Sequence, residues 1–259
     1  MPSVRSADGT TIDYDIAGSG PALVFVTGAF NLRDTCAPLA AELAEDHTVV
    51  TYDRRGRGAS TDTAPYRMER EVEDLQSLVG VVGGSASVFG FSSGAILALK
   101  AAADGLPVER LYLYEPPFRF SEEEPALPED LPSRLQAMLD QGDRGAVVAT
   151  FQMEGVGLPE EVVRGIRQSP MWPQLEQLAQ SVVYDATITT ELQRPTPAMQ
   201  AVTIPALVLR GEPTWPFLAR AAQGISERLP NADLRVVPGE SVHGIDPPGT
   251  AAAIRRFEE

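Results

Sequence analysis

The chain has 259 residues, 43% of them hydrophobic, and its 36 acidic against 21 basic residues give a formal net charge of −15 at pH 7. This length can bury a sizeable core within one domain, whereas the negative charge argues against nucleic acid or an anionic membrane surface as a partner. The single cysteine, Cys36, excludes an internal disulfide and a thiolate zinc cluster, and is typical of a small buried apolar residue.

No stretch near the start of the chain combines a basic region, an apolar core and a cleavage site, as a secretory leader would. No apolar run approaches the ~20 residues that a membrane-spanning helix needs. We therefore predict a cytoplasmic protein whose partner is a small molecule. The sequence leaves the oligomeric state open.

Short apolar runs alternate with helical patterns over the first part of the chain and return near its end. Residues 11–16 alternate as a half-exposed strand does, whereas residues 22–26 are almost wholly apolar and indicate a buried strand. The further predicted strands are 47–52, 87–89, 111–114, 206–209 and 234–237. The helices predicted between the early strands are 36–44, 69–82 and 95–99. This alternation predicts an α/β fold with a mostly parallel sheet covered by helices on both faces.

The pattern changes between residues 116 and 204, where helical stretches are separated by proline, glycine and acidic residues and no strong buried strand is evident. We therefore divide the chain into a core of residues 1–115 and 205–259 and a helical cap of residues 116–204. The helical stretches predicted within the cap are 131–140, 145–151, 159–167 and 174–184. An insertion between two sheet strands, above their carboxyl ends, is placed to roof a pocket.

Large apolar side chains are available to line such a pocket. The candidates are Phe30, Phe118, Phe120, Met171, Trp172 and Trp215, of which we predict substrate contact for Phe30, Phe118, Trp172 and Trp215. Ordinary core packing is the alternative interpretation for aromatic residues on helices. Because no basic patch lies near the sequence motifs, we expect a hydrophobic substrate of modest size that is not strongly anionic.

The most informative segment is residues 90–94, which read G-F-S-S-G between an apolar strand and an apolar helix. A G-x-S-x-G sequence in this setting predicts a sharp strand-to-helix turn that holds the central serine, Ser92, clear of its own secondary structure. The first amides of the following helix would then face any group that the serine attacks. Ser92 is therefore the predicted nucleophile, and Ser93 is expected to contribute its backbone N–H.

Four stretches in this order resemble the α/β-hydrolase family, and the resemblance extends over nearly the whole chain. Besides the serine turn, the first stretch is similar to the family's oxyanion loop, with threonine where the family usually has histidine. The second is similar to the family's YDxRGxGxS turn. The third is a C-terminal loop that reads G-E-S-V-H-G. These three stretches are residues 24–30, 51–60 and 239–244. The resemblance implies an α/β-hydrolase fold with a helical cap insertion.

The general base is predicted both from the small number of histidines and from the resemblance. The chain has two histidines, of which His47 opens an apolar strand and is interpreted as structural. His243 follows the last predicted strand in a Gly/Ser-rich loop, where the family carries its base, after the nucleophile in chain order. The resemblance also implies that the oxyanion is bound by the backbone amides of Ala29 and Ser93.

The acid of the triad is where the sequence departs from the family pattern. Thr214 occupies the position at which many members carry an aspartate, and threonine cannot neutralise an imidazolium. Our first choice is Glu115, at the end of an adjacent strand, because some members, including certain haloalkane dehalogenases, place their acid there. Glu212 and Asp246 remain as alternatives.

These residues lead to three hypotheses about function. The first is a serine hydrolase that cleaves a carboxylic ester, lactone or thioester of a hydrophobic small molecule through an acyl-enzyme on Ser92. The second is a non-hydrolytic lyase, isomerase or cyclase that tailors a secondary metabolite, which the missing acid and missing loop histidine motivate. The third is a binding protein with a vestigial triad. No metal or organic cofactor is indicated.

Overall fold

A single eight-stranded sheet organises the chain in the computed structural model, which describes residues 2–120, 124 and 126–259. The spatial order of the strands is β1-β2-β4-β3-β5-β6-β7-β8. The first two pairings, β1–β2 and β2–β4, are antiparallel and the rest are parallel. The strands are β1 (Ser3–Arg5), β2 (Thr11–Gly18), β3 (Ala22–Val26), β4 (Thr48–Tyr52), β5 (Ala86–Phe91), β6 (Val108–Tyr114), β7 (Ala206–Glu212) and β8 (Ala232–Pro238).

Eleven α-helices, a 3-10 turn (Arg33–Cys36) and a π-helix (Phe151–Val156) accompany this sheet in the described part of the chain. The first three helices are α1 (Ala37–Leu43), α2 (Met68–Val81) and α3 (Ser93–Ala103). The next six are α4 (Leu131–Asp140), α5 (Arg144–Thr150), α6 (Glu160–Arg167), α7 (Trp172–Gln177), α8 (Ala179–Glu191) and α9 (Pro197–Gln200). The last two are α10 (Pro216–Ser226) and α11 (Pro247–Glu258). The α/β fold with a mostly parallel sheet is confirmed.

Both faces of the sheet are buried, which explains why the central strands are apolar along their whole length. All six side-chain positions of β5 are buried. One face packs on α2, α3 and α10, and the opposite face packs on α1 and α11. Among the described residues, no helix is both long and apolar enough to cross a membrane.

The helices α4 to α9 lie between β6 and β7, in the stretch where the sequence predicts the cap at 116–204. Several of them share a hydrophobic cluster of their own, which includes Leu135, Val148, Trp172 and Tyr184. Ala29 and Phe30 of the core pack against this cluster. The insertion therefore has its own apolar centre and lies over the loop that follows β3, although its status as a separate cap domain stays a prediction.

Candidate active site

Ser92 lies at a sharp turn between β5 and α3, with φ 56° and ψ −125°. The turn requires glycine on both sides because the backbone of α3 approaches the sheet closely. A Cβ on Gly90 would come within 2.4 Å of the Ala95 Cα, and one on Gly94 within 2.3 Å of the Val26 carbonyl oxygen. The two glycines of the G-x-S-x-G sequence thus allow the approach that presents Ser92 at the top of the sheet.

The structure brings Ser92, His243 and Glu115 together in one hydrogen-bonded row. The Nε2 atom of His243 lies 3.3 Å from the Ser92 Oγ, and its Nδ1 contacts Oε2 of Glu115. Glu115 has no solvent exposure, and its other oxygen, Oε1, accepts a hydrogen bond from the Gly211 N–H at 2.8 Å. Both carboxylate oxygens therefore have partners, which a buried carboxylate requires.

Sheet topology explains why an acid after β6 can replace one after β7. The two strands are adjacent and parallel, so their carboxyl ends meet at the same edge of the sheet. The alternative acids are engaged elsewhere: Glu212 is exposed and pairs with Arg210 at 2.6 Å, and Asp246 caps α11 by accepting the Gly249 N–H at 2.8 Å. In the described part of the chain, Thr214 Oγ1 is buried without a hydrogen-bond partner.

Aromatic rings hold the His243 imidazole from two sides. The ring of Trp215 stacks on it with centroids 5.2 Å apart, and the Phe91 ring lies 4.9 Å away. The Tyr114 hydroxyl donates to the Gly244 carbonyl at 2.8 Å and so fixes the loop that carries the histidine. These contacts restrict the imidazole to the orientation in which it faces both partners.

The loop after β3 lies directly against Ser92. A Cβ on Gly28 would be 2.8 Å from the Ser92 Cβ, so only glycine fits at that point. Arg57, from the turn after β4, donates to the carbonyl oxygens of Gly28 at 2.5 Å and Asn31 at 3.0 Å. These two hydrogen bonds attach the loop to the buried guanidinium of Arg57. Ala29 and Ser93, the predicted oxyanion donors, both line the cavity at Ser92.

A buried charge network beneath the site was not found from the sequence. Its centre is Asp185 on α8, which accepts hydrogen bonds from Arg54 at 2.8 Å, Arg57 at 2.6 Å and the Ser93 hydroxyl at 2.7 Å. Glu71 supplies the second carboxylate that pairs with Arg54. Burial alone would raise the pKa of Glu71, but the Arg54 guanidinium outweighs it and lowers the pKa below the ordinary value. A lone aspartate inside the apolar helix α8 is the signal that could have identified the network.

A cavity of about 300 Å³ opens at Ser92 and His243. Its lining is mainly apolar and includes Phe30 and Trp215, for which substrate contact stays a prediction. The predictions for Phe118 and Trp172 are corrected, because neither lines this cavity. Phe118 is fully buried in the core beside the sheet, and Trp172 packs in the apolar centre of the insertion. The polar side chains of the lining, besides the two serines and His243, are Asn31, Arg119, Gln152 and Thr189.

The remaining candidates for chemistry lie outside the cavity. Burial raises the pKa of the Cys36 thiol to about 12, which leaves it protonated and unreactive at neutral pH. His47 is bonded to Asp46 at 2.7 Å and to Glu258 at 3.0 Å, at the end of α11. Within the described residues, no three His, Cys, Asp or Glu side chains gather as a metal site would require.

A family model and solved structures of other proteins are similar to this chain over most of its length. A family model described as "Alpha/beta hydrolase family" matches residues 23–253. The crystal structure of an alpha/beta hydrolase from Sphaerobacter thermophilus DSM 20745 is similar with a TM-score of 0.92 and 41% identity, covering 100% of both chains.

Two relatives known by sequence carry hydrolase names. The 2-(acetamidomethylene)succinate hydrolase of Mesorhizobium japonicum is 27% identical over 95% of this chain and 91% of that protein. The uncharacterized hydrolase YraK of Bacillus subtilis is 39% identical over a stretch that covers 35% of each protein.

Proposed function

Because the chain belongs to the alpha/beta hydrolase family, we propose that it is a serine hydrolase that acts through an acyl-enzyme on Ser92. The hydrolase-named relatives support a hydrolytic activity. Within that class, we assign to it the cleavage of a carboxylic ester, lactone or thioester of a small hydrophobic molecule. The observation that carries this proposal is the hydrogen-bonded row of Ser92, His243 and Glu115 beside a mainly apolar cavity.

In the proposed reaction the Ser92 Oγ attacks the substrate carbonyl carbon while His243 Nε2 takes its proton. The negative charge on the carbonyl oxygen is stabilised by the backbone N–H groups of Ala29 and Ser93. Glu115 keeps the imidazole in the required tautomer and stabilises its positive charge. The tetrahedral intermediate then collapses, the leaving group receives the proton from His243, and an ester remains on Ser92. A water molecule, deprotonated by His243, releases the acid and restores the serine.

The neighbouring serine supports the choice of nucleophile. Ser93 is 1% exposed and its hydroxyl donates to Asp185, so that hydroxyl already has a partner. The Ser92 hydroxyl instead faces the imidazole and the cavity. The non-hydrolytic alternative was motivated by the missing acid at Thr214, and it loses that support because Glu115 contacts His243 from the neighbouring strand.

The proposal is tested by intact-mass labelling with a small fluorophosphonate. We expect a single adduct on the wild-type protein and none on Ser92→Ala or His243→Ala. Glu115→Gln keeps the shape of the acid but loses its charge, and should slow labelling by roughly 10²–10⁴-fold, as neutralising a triad acid does. Glu212→Gln, which changes an exposed carboxylate paired with Arg210, is the matched control and should label at the wild-type rate.

A folded wild-type protein that is not labelled, or that is labelled equally well without Ser92, would contradict the acyl-enzyme route. The folded state of each variant is checked by thermal unfolding. Hydrolysis of short-chain p-nitrophenyl esters, measured in parallel, should follow the same order across the four variants and the wild-type protein.

A further inference from the structure

Arg119 is a cation inside an otherwise apolar part of the cavity. It follows Phe118, whose ring is buried in the core, and its backbone N–H donates to the Gln193 carbonyl at 2.7 Å. These two attachments fix the backbone so that the Arg119 side chain lines the same cavity as Ser92. Of the described residues that line this cavity, Arg119 is the one with a permanent charge.

The charge of Arg119 is not neutralised within the described residues. Its Nε atom is buried without a hydrogen-bond partner, and no carboxylate there forms an ion pair with it. Glu124 exerts a longer-range attraction, but its carboxylate is engaged by Arg220 at 2.7 Å. Burial lowers the pKa of Arg119 below the ordinary value, which reflects the cost of a desolvated cation. Arg119 as a whole is half-buried, but its Nε has no partner, so an anion that accepts a hydrogen bond there would offset the cost of burying that atom.

A second polar side chain in the cavity also lacks a partner. Gln152 is 6% exposed, and its Oε1 atom is buried without a donor among the described residues. It lies in the π-helix Phe151–Val156, a rare distortion that occurs frequently at functional sites. The cavity therefore offers a bound molecule one cation and one hydrogen-bond acceptor in addition to Ser92.

We infer that the substrate carries a free carboxylate that pairs with Arg119, while an N–H or O–H of the same molecule donates to Gln152. The planar guanidinium can donate two parallel hydrogen bonds to a carboxylate, the geometry that makes arginine a common partner for this group. The inference rests on the proposed function, because it names the substrate class of the Ser92 site. An acidic ester, lactone or thioester of modest size fits a cavity of about 300 Å³.

A row of aromatic rings leads from the arginine to the base. The Arg119 guanidinium carbon lies 5.9 Å from the centre of the Phe217 ring, and Phe217 stacks on Trp215 at 6.1 Å. Trp215 in turn stacks on His243 at 5.2 Å. These rings form an apolar side of the cavity that extends from Arg119 towards the catalytic row. The expected substrate therefore has a short apolar segment between its carboxylate and the carbonyl that is attacked.

The subsite is tested by binding, separately from catalysis. The protein carrying Ser92→Ala is titrated by calorimetry with the monomethyl esters of malonic, succinic and glutaric acid. Each is compared with its uncharged analogue, in which a carboxamide replaces the carboxylate. We expect at least one half-ester to bind roughly tenfold to a hundredfold more tightly than its amide, the range of one charge-assisted pair.

Charge-changing variants assign that preference to the arginine. In the Ser92→Ala background, Arg119→Gln should abolish the preference, and Arg119→Lys should keep part of it because the positive charge remains. Gln152→Glu should also reduce it, because a second carboxylate in the same cavity repels that of the ligand. Arg256→Gln removes the same charge from an exposed position on α11, outside this cavity, and should leave the preference unchanged.

Two results would overturn the inference: no half-ester in the series binds better than its amide, or the preference persists in Arg119→Gln. Because Ser92 is absent from the binding assay, these results are independent of the fluorophosphonate test. Labelling of Ser92 without carboxylate-dependent binding would overturn the subsite and keep the serine hydrolase. Carboxylate-dependent binding with no labelling would overturn the acyl-enzyme and keep the subsite.

Discussion

Four non-glycine residues have a left-handed backbone in the described part of the chain, and all four lie at the candidate site. They are Phe30, Ser92, Glu115 and His243, with φ angles of 60°, 56°, 48° and 56°. Such a conformation costs of order 1–3 kcal/mol per residue and persists only where the surroundings impose it. The strain is therefore concentrated in the loop after β3 and in the three residues of the hydrogen-bonded row, which follow the ends of β5, β6 and β8.

The close approach of α3 to the sheet makes Gly94 a sharp test of this geometry. In Gly94→Ala the new Cβ would meet the carbonyl oxygens of Val26 and Thr27 at 2.3 and 2.7 Å, so α3 must move away from β3. We expect a loss of roughly 1–3 kcal/mol in the free energy of unfolding, typical of overpacking, measured by urea denaturation. Fluorophosphonate labelling should also be slower than in the wild type under conditions where the variant is fully folded, because Ser92 moves with the helix.

Gly80→Ala is the matched control, because it makes the same change in α2 where a Cβ would meet nothing within 4 Å. Alanine is the better helix former by roughly 0.5–1 kcal/mol, so this variant should be as stable as the wild type or more so. Equal stability and labelling of the two variants would contradict the steric account of the serine turn.

The sequence predicts the residues of the hydrogen-bonded row because each belongs to a local pattern. Ser92 has its flanking glycines, and Glu115 is a charge directly after an apolar strand. Arg119 and Gln152 follow no local pattern, and Asp185 offers only its position as a lone aspartate in α8, because the roles of all three depend on contacts between segments that are distant in sequence. Phe118 and Trp172 were misplaced for a related reason: aromatic residues in an insertion look alike whether they face a cavity or an apolar centre.

Among the elements, one buried strand and one helix of the insertion are predicted to the residue, and the helix predicted at 131–140 coincides with α4. The strand predicted at 22–26 coincides with β3, because an apolar run bounded by turn residues has one simple interpretation. The helices α10 and α11 were not predicted. Asp246 followed by Pro247 is a helix-start signal that could have identified α11, since the Asp246 side chain accepts from the Gly249 N–H. Periodicity alone does not show this in a short, alanine-rich segment.

The end of α11 is attached to the core by His47, and this attachment depends on pH. Burial alone would lower the pKa of His47, but hydrogen bonds to Glu258 and Asp46 outweigh it and raise the pKa above 6.5. Protonation is therefore favoured in the folded state. The resulting stabilisation is fully present below the unfolded-state pKa of about 6.5 and is lost as the pH rises through the folded-state pKa.

We expect His47→Gln to destabilise the protein by about 1 kcal/mol at pH 5.5, the value of a partly exposed ion pair, and by less at pH 9. Glutamine can hydrogen-bond but carries no charge, so the difference between the two pH values isolates the charge. The measurement is the free energy of unfolding in urea for both proteins at each pH. Stability curves that stay parallel from pH 5.5 to 9 would show that His47 does not titrate with folding.

At the scale of the whole molecule, Asp185 joins the insertion to the sheet. Its carboxylate, which has no solvent exposure, lies between Arg54 and Arg57 of the core while α8 belongs to the insertion. In Asp185→Asn the shape is kept but Arg57 loses its paired carboxylate. Breaking such a buried pair should lower the free energy of unfolding by about 3–5 kcal/mol, measured by urea denaturation.

Asp130→Asn is the control for this prediction, because it neutralises an aspartate of the same insertion whose side chain is 65% exposed. We expect a change within about 0.5 kcal/mol for this surface substitution. If Asp185→Asn were no more destabilising than the control, the network would contribute nothing to the junction between insertion and sheet.

The anchoring of α8 has a consequence for how molecules reach Ser92. Lifting the whole insertion would expose Asp185 and two arginines that are buried against one another, so we expect the insertion not to open as a hinged lid. Exchange with solvent is left to the rim around Phe151–Val156 and Leu158, which line the cavity without belonging to that network. We expect such a fixed roof, open only at this rim, to select molecules by width before they reach Ser92. Bulky molecules should then be excluded through slow association rather than through weak binding.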